Sequence, residues 1–190
     1  MEMKKEYLSL KNGKELLIRT PIEDDAESML EYLCDVSEET HFLIRYVEEI
    51  SCDVEEEKNF IKNVVQDKNS VMIVACDGRR IVGSISIFAI GKFDKVRHRG
   101  NLSIAIRKEY CSLGLGRILM NIALVLAKEK GYEQIELGVL SDNTHAIALY
   151  KSMGFVECGR IPHAFRLKNG ACIDEKLMAL FFSLKNTWLT

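Results

Sequence analysis

The chain has 190 residues, 47% of them hydrophobic and 28% charged, with a formal net charge of −2. That is enough for a core without disulfides or metal, and the charge excludes a general electrostatic attraction to nucleic acid or acidic membrane, though not a local basic patch. Cys34, Cys52, Cys76, Cys111, Cys158 and Cys172 form no C-x-x-C pair and have no histidines at zinc spacing. With no apolar leader core after Met1–Glu6 and no membrane-length apolar run, they read as free thiols of a cytoplasmic protein.

Glu15–Thr20 is a strand stopped by Pro21. Asp24 and Asp25 precede Ala26, Met29, Leu30 and Leu33, a first helix with acids at its N-terminus. Tyr32–Ser51 is irregular. Ser51–Glu56 then supplies a cap and acids before Phe60, Ile61, Val64 and Val65, a second helix. Val71–Cys76 and Ile81–Ile90 form a hairpin across Asp77-Gly78. The basic loop Lys92–Arg99 suits either solvent or an anionic part of a ligand. Asn101–Arg107 alternates, with Leu102, Ile104 and Ile106 on one face. A third helix carries Leu115, Ile118, Leu119, Ile122 and Leu126 on one stripe and stops at Gly131. Gln134–Leu140 is a strand, Ser141–Thr144 caps a helix closed by Gly154, and Phe155–Arg166 with Ala171–Phe181 ends the chain as a hairpin. Strand–helix–strand units beside hairpins predict an α/β domain with a mixed sheet.

Between strand and third helix lies Tyr110-Cys111-Ser112-Leu113-Gly114-Leu115-Gly116. A glycine turn there leaves the first helical amides without intrahelical partners, beside the positive end of the macrodipole, where a phosphate can sit. Side chains at 114 and 116 would stand in the anion's way; a plain tight turn is the alternative. A dinucleotide fold is disfavoured, because the turn comes late and Leu119 replaces a third glycine.

Cys111-Ser112-Leu113-Gly114-Leu115-Gly116 resembles the Q/R-x-x-G-x-G/A acetyl-coenzyme A signature of the GNAT N-acetyltransferases, with Cys111 a departure at the first position. Asn143-Thr144-His145-Ala146-Ile147-Ala148-Leu149-Tyr150-Lys151-Ser152-Met153-Gly154-Phe155 resembles their N-x-x-A-x-x-L-Y-x-x-x-G-F segment. The resemblance implies a GNAT fold: a mixed, mostly antiparallel sheet of about seven strands, about four helices, and splayed parallel strands at the cofactor site, in a single N-acetyltransferase domain over 1–190. It implies acetyl-CoA as cosubstrate, its pyrophosphate on the turn at Leu113, Gly114, Leu115, Gly116, Arg117 and Ile118 and its pantetheine arm along the backbone of Ile104 and Ile106. Asn143 would contact the cofactor or cap its helix, and Tyr150 would stand beside the thioester sulfur or simply pack in the core. The acceptor would be a small-molecule or protein amine, held between helices one and two, the Lys92–Arg99 loop and the C-terminal hairpin. The strand before the turn offers only Asn101 and Ser103, neither a base at neutral pH. His98 and Glu136 are candidates by pattern alone, and a non-catalytic coenzyme A-binding module is the alternative. Phe181, Phe182, Trp188 and Leu189 suit a homodimer contact or a packed terminus.

Overall fold

Period-2 runs become strands and 3.6-period runs become helices, as the pattern predicts. The computed structural model describes residue 3 and residues 5–182. In chain order these are β1 (Glu6–Ser9), β2 (Glu15–Arg19), α1 (Ala26–Glu39), α2 (Val54–Gln66), β3 (Val71–Asp77), β4 (Arg80–Ala89), β5 (Arg99–Ile106), α3 (Leu115–Glu129), β6 (Gln134–Leu140), α4 (Thr144–Ser152), β7 (Val156–Arg166) and β8 (Cys172–Phe181). One sheet holds eight strands in the order β1-β2-β3-β4-β5-β6-β8-β7. The strand beyond the expected seven is β1, an exposed edge strand that buries too little to leave an alternating signal. Trp188 and Leu189 lie outside the described residues.

Helix α1 is longer than its sequence signal. Tyr32 and Val36 continue the stripe begun by Ala26 and Met29, so the stretch expected to be irregular from Tyr32 is helical to Glu39. Its entry is fixed by Arg19, whose guanidinium donates to both oxygens of the Asp25 carboxylate at 2.6 and 2.7 Å. Asp53 caps α2 by accepting from the Glu55 and Glu56 amides. Helix α3 packs Leu115, Leu119, Met120 and Ala123 into a core with Ile73, Ile85 and Ile87 on one sheet face. Helix α1 packs Met29, Tyr32 and Val36 against Val74, Cys76 and Ile81 on the other. Each such large side chain contributes about 1.5–3 kcal/mol on burial, against about 0–1 for an exposed ion pair, so these two cores dominate the stability. Among the described residues no helix is long and apolar enough to cross a membrane.

Every strand pair is antiparallel except β5 with β6. That parallel pairing covers only Arg99 with Gln134, Gly100 with Ile135 and Asn101 with Glu136. On its other edge β6 pairs with β8 from Gln134 to Leu140. From Leu102 and Leu137 onward β5 and β6 therefore part, opening a gap in the middle of the sheet.

Candidate active site

Strand β5 runs into the glycine turn through Arg107, which is 1% exposed. Its Nε–H donates to Ile81 O at 2.8 Å, its guanidinium pairs with Asp35, and it lies 5.7 Å from the Tyr32 ring centroid. This anchor had no sequence signal beyond an ordinary strand end. The turn then takes two left-handed residues, Ser112 at φ 62° and Gly114 at φ 93°. At Gly114 the absent Cβ makes that conformation accessible. Gly114 is the N-cap of α3 and offers no side-chain cap, so the amides of Leu115, Gly116 and Arg117 open outward. The Ile118 N–H instead donates to Gly114 O at 3.1 Å and is not among the free amides. Gly116 has a packing reason to be glycine: a Cβ there would lie 2.9 Å from Leu149 Cδ2 and 3.4 Å from Ile106 Cδ1. Its absence lets α4 and β5 close on α3, a role distinct from clearing space for an anion.

A cleft of about 1330 Å³ runs from this turn along the β5–β6 gap to α1 and α2. Ile104, Ile106, Gly114, Gly116, Arg117, Asn143 and Tyr150 line it together. Leu113, Leu115 and Ile118 do not; Leu115 is buried in the core. Arg99 O accepts from Ile90 N–H at 3.1 Å and Arg107 N–H donates to Val82 O at 2.9 Å, both toward β4. Main-chain groups alternate sides along a strand, so those of Leu102, Ile104 and Ile106 face the other way, into the gap. Asn143 caps α4, its Oδ1 accepting from Ala146 N–H at 3.1 Å. Tyr150 is 7% exposed, its ring 5.9 Å from Phe155, and burial pushes its phenol up to about 12.

Charge along the cleft is polar. Lys11, Lys108 and Arg117 line the turn end, whereas Asp53, Glu56 and Glu57 line the α2 end with Arg45. Burial pushes the Glu57 carboxyl up, and its Oε1 has no hydrogen-bond partner among the described residues. The segment 40–53 covers this end. It is tied to the C-terminal half by His41 Nε2 with Asp142 at 2.8 Å, by Lys168 N–H to Tyr46 Oη at 3.0 Å, and by the Lys168–Glu48 pair. The C-terminal hairpin contributes Phe165 and Glu175. The Lys92–Arg99 loop contributes nothing to the lining and folds on itself, with Val96 and Arg97 amides donating to Phe93 O at 2.9 Å. His98 and Glu136 also lie outside the lining, and Glu136 is held by Arg99 at 2.5 and 2.7 Å.

Residues 30–155 match the family model for the acetyltransferase (GNAT) family. A crystal structure of a GNAT-family acetyltransferase from Streptococcus pneumoniae superposes with a TM-score of 0.83 at 32% identity, covering 87% of this chain and 99% of that one. The structure of yncA, a Salmonella typhimurium protein bound to acetyl-CoA, superposes at 0.78 over 90% of this chain and 96% of its own; at 20% identity it speaks for the fold alone. N-acetyltransferase 8B of Rattus norvegicus is 25% identical over 100 residues, 52% of this chain and 45% of its own length, so the chain matches less than half of that curated relative.

Proposed function

The chain belongs to the GNAT acetyltransferase family, and from that membership we propose that it transfers the acetyl group of acetyl-CoA to a primary amine by direct attack in a ternary complex. The observation that carries the proposal is the placing of open helix amides, outward main-chain groups of a parted strand and a buried tyrosine along one cleft. When bound, acetyl-CoA supplies an activated acyl group on sulfur. The free amides of α3 and the cations Lys11, Lys108 and Arg117 suit its phosphates. The main-chain groups of Ile104 and Ile106 suit its amide-bearing arm, and the Asn143 amide nitrogen remains to donate beyond its capping bond.

Tyr150 holds its proton throughout the neutral range. With its phenol pushed up to about 12 it is a weaker acid than a thiol of about 8.5. Full transfer to a thiolate is therefore uphill by roughly 5 kcal/mol, and the role it supports is a hydrogen bond to the departing sulfur. The acid-lined α2 end suits a cationic acceptor, small molecule or protein. One sheet runs through Glu6–Phe181, which supports a single N-acetyltransferase domain over 1–190, and six free thiols support the cytoplasm. Incubation with acetyl-CoA and a panel of primary amines tests this: amine-dependent release of free thiol is expected, and its absence for every amine would refute the transferase.

A further inference from the structure

Resting on that reading, amine attack needs a group to accept the ammonium proton. Five carboxylates line the cleft: Glu39, Asp53, Glu56, Glu57 and Glu175. Three are engaged. Glu39 accepts from Lys108 N–H at 2.7 Å, Asp53 caps α2, and Glu56 accepts from the Ser51 hydroxyl at 2.8 Å. Glu57 rides on α2, which packs against α1 and β3. Strand β3 stands two places from β5 in the sheet.

Glu175 differs on each count. It faces Leu140 of β6 from β8, the strand bordering the gap strand. Its neighbours Asp174 and Lys176 are ion-paired with Arg160 and Glu157, while no ion pair holds Glu175 among the described residues. Its carboxyl lies over Gly138, where a Cβ would stand 2.8 Å from Glu175 Cδ and closer still to Oε1. Gly138 has no positive φ, so the backbone does not require glycine there. What the missing side chain provides is room for a carboxylate above β6, in the cleft that Tyr150 also lines.

We propose that Glu175 is the catalytic base of amine acetylation, its carboxylate accommodated by Gly138 so that it takes the proton of the attacking ammonium. Glu175 accepts one proton and the neutral nitrogen forms the N–C bond at the thioester carbonyl. As the C–S bond breaks, the second nitrogen proton passes to the departing sulfur, hydrogen-bonded to Tyr150. Glu175 then returns its proton to solvent, so amide, thiol and one released proton balance the ammonium and thioester consumed.

Glu175→Gln, Glu175→Asp and Gly138→Ala are compared with wild type on n-butylamine, spermidine, an amino-acid amide and a short peptide with a free N-terminus, and on hydroxylamine, which is already neutral at pH 7. For Glu175→Gln, kcat on the amines that wild type accepts is expected to fall about 100-fold or more and to lose the acid limb of its pH profile. Transfer to hydroxylamine is expected to fall less than about tenfold, and calorimetric affinity for acetyl-CoA to stay within about twofold. Glu175→Asp restores part of the rate. Gly138→Ala displaces only the end of a flexible side chain, so its Tm is kept while kcat falls. Retained kcat with an intact acid limb in Glu175→Gln, or equal losses on both kinds of amine, would overturn the assignment. So would a wild-type protein that binds acetyl-CoA yet acetylates none of the panel. Failure to bind acetyl-CoA would instead remove the acetyltransferase reading beneath it.

Discussion

Tyr150 is 7% exposed and lines the cleft, and its phenol makes no hydrogen bond among the described residues, so removing the hydroxyl breaks none. Tyr150→Phe is therefore expected to melt at or above the wild-type temperature while kcat falls about 100-fold; a destabilised variant with unchanged kcat would mark a packing residue. The same burial sets a pH window. The phenol titrates near 10 when unfolded and is pushed up to about 12 when folded, so its contribution to stability is complete below pH 10 and is lost as pH rises from 10 toward 12. That part of the alkaline loss in Tm should vanish in Tyr150→Phe. At Gly116 an added methyl would meet Leu149 at 2.9 Å. Gly116→Ala is expected to cost about 1–3 kcal/mol and to weaken acetyl-CoA binding, and the added change Leu149→Ala should recover part of both. A purely additive double variant would show that the two side chains do not compete for this space.

Helix α1 enters through the Arg19–Asp25 pair, whose side chains are 12% and 9% exposed. Asp25→Asn strands a buried guanidinium, so a loss of about 3–5 kcal/mol, read as a fall in Tm of several degrees, is expected. The ties of the 40–53 segment to Asp142 and Lys168 are exposed ion pairs that add little to stability. The Lys168 ammonium holds the Glu48 carboxyl below its usual range, so this tie is present above the ordinary carboxylate value and is lost as pH falls through the lowered one. Tyr46→Phe combined with Glu48→Gln should raise KM for the amine and leave acetyl-CoA affinity and Tm unchanged; a shift in cofactor affinity alone would contradict the assignment of this end to the acceptor. Strands and helices with a strong period were legible in sequence, α3 and β6 above all. The coverage by 40–53 was not, because its ties to Asp142 and Lys168 span some hundred residues and carry no local pattern.

The sheet's central gap follows from pairing that stops at Asn101–Glu136 while β6 remains fully paired with β8. Two short motifs disclosed the glycine turn and the α4 cap, since each is a local backbone requirement written in consecutive residues. Arg107, Gly138 and Glu175 escaped notice because their roles arise only when distant strands meet: Glu175 reads as one charge in a solvated hairpin until β8 lies beside Gly138. The binding energy of a cosubstrate spread along this cleft should appear as stabilisation, about 2.7 kcal/mol at one hundred times Kd, or roughly 5–11 °C in Tm. Calorimetric titration with acetyl-CoA, coenzyme A and NAD, on wild type and on Gly114→Glu with Gly116→Glu, tests the central claim most directly. Both coenzyme A species should bind the wild type and neither the double variant, with NAD binding to neither protein. Absence of binding by either coenzyme A species to the wild type would contradict the account and leave the glycine turn a structural feature alone.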